Sequence, residues 1–449
     1  MIVRDAARSL PSCLESARSV VDEIVIADTG SADDTVDIGL SFGARVIPIP
    51  WTENFAEARN RALAAVTADW VVTLDADEQL DPAAGLHFPS LLADQTYAAY
   101  QVTIRNYVLS LEDRIWDRAA RPNDSTLPDA KSYPAYVEHE NVRLFRRDPD
   151  IYFVGRVHES VGPRVLQCGR KLGRASFFIH HFGLVADAET RARKNHFYRR
   201  LGQQKVREMP QDAQAQLELG LVELDNFSNN LGALALFARA CELNPRLGVA
   251  WFFQGLTLGK LQKWRETLKC LAEAERLGHT TSPVYETLGD AHYNLKDYGR
   301  ACSAYDRALR RTPGNPLLQS KLGIAIVRAG NIDRGLNLIR QAVDVKPAAG
   351  ELHDRLILSL VWLDRIELAA IAADNKLAAM NHPEAVDFLR AASLWARIKN
   401  MSRAAAVLQV GLQVHPTDMT LGRSLTEISR ATDVSKELPA VQPAGRPAG

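Results

Sequence analysis

Trp70-Val71-Val72-Thr73-Leu74-Asp75-Ala76-Asp77-Glu78 decides how this chain is read. A short run rich in Val and Trp suits a buried strand, and it ends abruptly in two aspartates one residue apart. Side chains of an extended backbone repeat every two residues, so the spacing predicts that Asp75 and Asp77 point the same way. Adjacent carboxylates repel unless a cation lies beside them. A hard divalent ion, bound through oxygen and keeping positions open for substrate phosphates, is the natural partner. The same nine residues also read as a strand followed by a solvated acidic turn, so the neighbouring sequence has to decide.

Upstream, Met1-Ile2-Val3-Arg4 runs into Asp5, and Glu23-Ile24-Val25-Ile26-Ala27 runs into Asp28. Asp28 opens Thr29-Gly30-Ser31-Ala32-Asp33-Asp34-Thr35, a turn rich in helix-capping residues. A helix is expected to Phe42, a strand over Arg45-Val46-Ile47-Pro48, and an amphipathic helix from Phe55 to Val66. Strands alternating with helices predict a parallel sheet covered on both faces. Ligands of such sheets bind beyond the carboxyl ends of the strands, where Asp5, Asp28, Asp75 and Asp77 all fall.

This ordered series resembles a family 2 glycosyltransferase with the A-type, Rossmann-like nucleotide-sugar fold. The resemblance rests on the Met1–Asp5 start, Asp28–Thr35, Ala58-Arg59-Asn60 and Leu74–Glu78. It continues through Arg143-Leu144-Phe145-Arg146, Val157-His158-Glu159 and His181-Phe182-Gly183, and covers roughly the first 200 residues. It implies sugar transfer from a nucleotide diphosphate donor, contacted by Asp5, Asp28, Arg59, Asn60, Asp75 and Asp77. Asp28 is then near the base and Asp75 near the ribose. Asp77, completed by His181, is implied to bind Mg²⁺ or Mn²⁺. The chain departs from the pattern at Ala6, where an acid is common, and at Asp34, where Gly is common. Few residues precede the Met-Ile-Val segment, so the first strand is expected to be short; a late start of the chain stays open as the alternative.

Residues 97–185 carry the remaining chemistry. Tyr100-Gln101-Val102-Thr103-Ile104 alternates like a strand. Residues 114–134 are polar and Pro-punctuated and read as a long loop able to act as a lid. Short strands are expected at residues 143–147 and 152–159. Glu159 is the candidate general base, with His158 its competitor and Glu138 or Glu140 the fallback. Glu159 also reads as a surface acid paired with a nearby Arg. Arg143, Arg146 and Arg156 read equally as phosphate or acceptor contacts and as solvated surface charge.

The second half obeys a different period. Pro245, Pro313 and Pro347 lie 68 and 34 residues apart. Tyr285 precedes Pro313, as do Leu288, Gly289, Ala301, Tyr305 and Ala308 at the offsets at which Leu322, Gly323, Gly335, Ile339 and Ala342 precede Pro347, and Trp251, Gly255, Leu271 and Ala274 fit between. Small residues let two helices approach, large ones fill the space between them, and the Pro stops the second helix. The pattern resembles tetratricopeptide repeats. Three repeats are clear over 248–347, and degenerate ones extend the array from 212 to about 416 as an all-α solenoid.

Composition supports a two-part chain. Of 449 residues 46% are hydrophobic, enough for a large core, and 54 basic residues balance 54 acidic ones, which removes any charge argument for nucleic acid or an anionic membrane. No apolar run approaches the ~18 residues of a membrane span, and no secretory signal is evident, so a cytoplasmic protein is expected. Cys13, Cys168, Cys241, Cys270 and Cys302 show no zinc spacing. The expected organisation is a glycosyltransferase domain over 1–205, repeats over 206–420 and a tail over 421–449, disordered at its end, where Pro439, Pro443 and Pro447 cluster.

The resulting reading is a metal-dependent inverting glycosyltransferase of hexosyltransferase type, its donor a UDP-sugar and its acceptor a peptide, protein or glycan. The repeats bind acceptor or a protein partner. A reading of another class is a non-catalytic repeat scaffold with a degenerate front domain, motivated by the short first strand and Ala6.

Overall fold

The computed structural model describes residues 1–111, 113–115, 118–183 and 188–437. The chain packs as two compact units, Met1–Thr287 and Leu288 onward. The first opens with a parallel sheet of β1 (Ile2–Val3), β2 (Val25–Asp28) and β3 (Arg45–Pro48), in that order. Between and after these strands come helices α1 (Leu10–Ala17), α2 (Thr35–Ser41) and α3 (Phe55–Ala64). Helix α1 buries Leu10, Cys13, Leu14 and Ala17, the i, i+3, i+4, i+7 stripe of a helix lying on a core. Gly39 lets α2 settle onto Ile26 and Val46, which a Cβ would meet at 3.0 and 3.1 Å. Asn54 starts α3 by accepting a hydrogen bond from Glu57 N.

A second sheet uses β4 (Trp70–Val72), β5 (Glu78–Leu80), β6 (Ala99–Val108), β9 (Arg121–Pro122), β10 (Ala135–Arg146) and β11 (Leu172–His181), while β7 (Arg114–Ile115) and β8 (Arg118–Ala119) pair with each other. Its order is β4-β10-β6-β11-β5, with β9 beside β10. Two further helices, α4 (Ala84–Ala93) and α5 (Gly162–Gln167), complete the α/β part.

Three expectations are corrected here. The Trp70 strand does not join the parallel sheet: β4 runs antiparallel to β10, with Val72 opposite Leu144 and Trp70 opposite Arg146. Strand β1 is short, as expected: it has two residues and, among the described residues, pairs with β2 alone. A cavity of about 550 Å³, lined by Met1, Val25, Trp70, Val72 and Phe88 among others, lies beside both strands. The Met1 amine donates to Val25 O at 2.7 Å. Its burial, with help from Arg59, pushes its pKa from 8.0 down to about 5. Residues 152–159 form no strand but a loop closed by a bridge between Val154 and Ser160, because Gly155 (φ 99°) and His158 (φ 53°) take left-handed backbone. The described part of 114–134 is folded into β7, β8, β9 and a short 3₁₀ turn at Pro128–Ala130, and Leu127 and Tyr133 pack on Tyr107, Ala130 and Tyr136. Residues 116 and 117 of the expected loop lie outside the described residues.

From Ala188 every element is helical. After α6 (Ala188–Glu208) come the pairs α7 (Ala213–Asp225) with α8 (Asn230–Leu243), α9 (Gly248–Lys260) with α10 (Trp264–Arg276), α11 (Ser282–Asn294) with α12 (Tyr298–Arg311) and α13 (Pro316–Arg328) with α14 (Ile332–Val345). Further pairs are α15 (Gly350–Trp362) with α16 (Ile366–Ala379) and α17 (Ala385–Arg397) with α18 (Met401–Val414), and α19 (Met419–Glu437) follows. Helix α19 occupies the start of the expected tail; residues 438–449, with their prolines, lie outside the described residues. Within a pair, a glycine on the first helix receives a large side chain of the second. A Cβ on Gly220 would meet Phe237 at 2.5 Å and one on Gly323 would meet Ile339 at 2.7 Å; Gly289 and Tyr305 repeat this contact. The period has a second mark. Ser228, Gln262, Lys296, Gly330 and Asp364, each 34 residues after the last, all have positive φ in the turn between paired helices.

Candidate active site

The loops after β1 and β2 are knitted together by their own acids. Asp5, at φ 48°, accepts from Ala32 N at 2.7 Å while its N–H donates to Ser31 Oγ at 3.0 Å. Asp33 accepts from Ala7 N at 3.1 Å. Asp28 is buried and accepts from Gly30 N, Ser31 N and Ser31 Oγ, at 3.1, 3.2 and 2.5 Å. Gly30, at φ 101°, makes that tight return without strain.

Asp75 and Asp77 part company. The chain turns after Asp75, with Glu78 N donating to Asp75 O at 3.0 Å and the Glu78 carboxylate accepting from Asp75 N at 2.8 Å. The backbone is therefore not extended across the motif, and the expectation of two parallel carboxylates fails. Arg59, from α3, donates to Asp75 Oδ1 at 2.5 Å and also to Glu159. Arg143, from β10, donates to Asp75 Oδ2 at 3.2 Å and to Glu78 Oε1 at 2.7 Å. Five residues from four parts of the chain thus form one charge cluster, with Glu78 only 2% exposed. Burial opposes ionisation of Asp75, but Arg59 and Arg143 outweigh it and hold the carboxyl well below its usual range. Burial pushes Glu78 up. Among the described residues, two buried guanidinium nitrogens, Arg59 Nη1 and Arg143 Nε, have no hydrogen-bond partner.

Asp77 instead faces His181 at the end of β11, with Oδ2 3.5 Å from Nε2. His181 Nδ1 lies 2.8 Å from Asn106 Oδ1, and Asn106 Nδ2 donates to Val137 O at 3.0 Å. With the amide so oriented, Nδ1 of His181 carries the hydrogen and Nε2 turns its lone pair to Asp77. A carboxylate facing an imidazole lone pair needs a cation between them, a proton or a metal ion. Burial resists charge on His181, but the Asp77 carboxylate overcomes it and raises the ring's pKa. The pair is partly open, with side chains 36% and 21% exposed. Gly183 is indispensable beside it, since a Cβ there would collide with the Asp77 carboxylate. Among the described residues no set of three His, Cys, Asp or Glu side chains is grouped to hold a metal. One carboxylate and one oriented imidazole do fit a hard or borderline divalent ion whose other positions are filled by substrate oxygen and water.

The structure therefore brings Arg59, Asp75 and Glu159 together, and separately Asp77 and His181. Asp5 and Asp28 shape the neighbouring loops. His158 is exposed and stacks on Tyr198. Asn60 is corrected to a structural clamp: its amide donates to Phe153 O at 3.0 Å and accepts from Phe153 N at 2.8 Å, holding the 153–159 loop. Glu138 pairs with Arg105 and Arg121, and Glu140 with Arg174, so the fallback bases are engaged outside the cluster. Of the remaining arginines, Arg146 lies over Trp70 and Arg156 pairs with Glu208. Sequence reasoning missed Glu78 and Asn106; the signal available for Glu78 was a third acid set directly between the aspartates and buried Leu80.

Parts of the chain match known proteins. Residues 1–152 match the family described as "Glycosyl transferase family 2", and residues 282–315 match "Tetratricopeptide repeat". A TPR repeat-containing protein of Synechococcus elongatus is 36% identical over 167 residues, 37% of this chain and 35% of that protein. An uncharacterized glycosyltransferase of Rickettsia felis is 26% identical over 167 residues, covering 35% and 57%. The SPbeta prophage-derived glycosyltransferase SunS of Bacillus subtilis is 23% identical over 161 residues, covering 35% and 33%. The matches thus span between a third and just over half the length of these relatives. Among the described residues no helix is long and apolar enough to cross a membrane. The chain carries a glycosyl transferase family 2 domain in its first 152 residues and tetratricopeptide repeats in its helical part.

Proposed function

We propose that the chain is a metal-dependent inverting glycosyltransferase that moves a hexose from a nucleotide diphosphate sugar, a UDP-sugar in the first instance, to a peptide, protein or glycan. The observation that carries the reading is the division of labour between the two aspartates. Asp75 is neutralised by fixed arginines, whereas Asp77 faces an oriented imidazole lone pair. A Mg²⁺ or Mn²⁺ ion held by Asp77 and His181 would supply positive charge to the departing diphosphate.

The chain's own residues do the rest. The loop from Asp28 to Thr35 receives the base, and Asp75, locked by Arg59 and Arg143, orients the ribose. Glu159 accepts the acceptor's proton. Arg59 engages Glu159 Oε1, which fixes the carboxylate and leaves Oε2 to take the hydrogen as the acceptor oxygen attacks the anomeric carbon. The new C–O bond forms as the bond to the diphosphate oxygen breaks, on the opposite face, so the configuration inverts. The repeats present the acceptor or a protein partner. The test is a screen of nucleotide sugars by nucleotide release with Mg²⁺ or Mn²⁺, followed by mass spectrometry of cell components modified in the active pairing. Release from at least one sugar with a matching mass increment supports the reading; a folded protein that releases nothing from any donor and modifies nothing favours the scaffold.

A further inference from the structure

Helix α6 follows the α/β domain in sequence, and it is fastened to the site. Lys205, 5% exposed, donates to Val157 O at 3.0 Å and pairs with Glu218 at 2.7 Å. Arg156 pairs with Glu208 at 2.8 Å, Arg200 with Glu53 at 2.6 Å, and Phe197 packs on Trp51 with ring centres 6.3 Å apart. Within this frame Tyr198 lies nearly parallel to two rings. Phe55 is 6.1 Å away at 9°, and His158 is 6.3 Å away at 14°.

Those two neighbours locate the phenol. Phe55 is four residues before Arg59 on α3, on the same helix face, and His158 adjoins Glu159. Tyr198 therefore lies over the residues that flank the Arg59–Glu159 pair. Among the described residues its hydroxyl has no hydrogen-bond partner. Burial, then the carboxylates of Glu159, Asp75 and Asp77, push its pKa up to about 12, so the hydroxyl keeps its proton and can donate. Lys194 stands four residues earlier on the same face. It is exposed and makes no ion pair among the described residues. The arginines of the cluster, by contrast, are engaged by carboxylates.

We propose that α6 forms the outer wall of the donor site, with Lys194 and Tyr198 donating hydrogen bonds to the diphosphate oxygens of a bound nucleoside diphosphate. The proposal rests on the function argued above and adds two ligand-contacting residues from outside the segment matched to the transferase family. The chemistry fits the spot. A diphosphate brought beside Asp77 meets its carboxylate, and an exposed ammonium and a protonated phenol offset that repulsion at no cost in buried charge. Tyr198→Phe keeps the ring stacks and removes only the hydroxyl.

The experiment is calorimetric titration of the full chain with UDP, GDP, ADP, CDP and dTDP in the presence of Mn²⁺. It is repeated on Tyr198→Phe and Lys194→Met with whichever nucleotide binds the wild type most tightly. Hydrogen bonds to charged groups predict a loss of about tenfold in affinity for each variant, with melting temperatures unchanged. If either variant with an intact melt binds like wild type, the wall is wrong while the transferase reading stands. If the wild type binds none of the nucleotides with Mn²⁺, the transferase reading itself fails and this inference falls with it.

Discussion

Replacing Gly183 by alanine separates the fold from the proposed metal pair. A methyl group at this position would overlap Asp77 Oδ2 and lie 2.7 Å from Asp77 Cγ and 2.9 Å from His181 Nε2. Ordinary contact is about 3.5–4.0 Å, so the Asp77 carboxylate must retreat by more than about 1 Å or turn off His181. A misplacement of about 1 Å at a reacting centre costs on the order of 10²-fold in rate. The fold has little at stake: Asp77 and His181 are partly exposed, no apolar core contact is lost, and the stability change should stay within about 1 kcal/mol. The assay is the initial rate of nucleotide release over a Mn²⁺ titration, beside a melting curve of the same sample. The expected result is a rate down about 100-fold, a weaker response to Mn²⁺, and a near-normal melt. Wild-type rate and metal response would refute the reasoning, and collapse of the fold would show that the turn at residues 181–183 is structural.

Further outcomes follow from the same geometry. Glu159→Gln should lower turnover by ~10²–10⁴-fold while nucleotide affinity holds; because Arg59 keeps a hydrogen-bonding but uncharged neighbour, denaturant titration should show a loss of about 1–3 kcal/mol. Gly330→Ala meets no atom within 4 Å, yet at φ 102° it should cost about 1–2 kcal/mol, read as a shift in urea midpoint.

Much of this was legible in the sequence, for identifiable reasons. The strand ends at Asp28 and after Val72, helix α3 and the 34-residue spacing of Pro313 and Pro347 are local patterns, and local patterns survive folding. Strand pairing is not local. Nothing in Trp70–Val72 says that its partner lies at residues 144–146, so a parallel neighbour was the natural but mistaken choice. The aspartate geometry was misjudged because an extended backbone was assumed where Glu78 caps a turn. Asn60 sits in a motif that suggests a ligand contact, yet its amide matches the main chain of Phe153, 93 residues away. The left-handed turns at Ser228, Gln262, Lys296 and Asp364 escaped notice because none is a glycine.

The central claim is that Asp77, with His181, holds the cation on which sugar transfer depends. Nucleotide release from the best donor sugar, measured for wild type and Asp77→Asn with Mn²⁺ and with EDTA, tests it directly. The account predicts release by wild type only with Mn²⁺, and release reduced at least ~100-fold in Asp77→Asn at wild-type stability. Release that persists in EDTA, or that is equal in the two proteins, would contradict it.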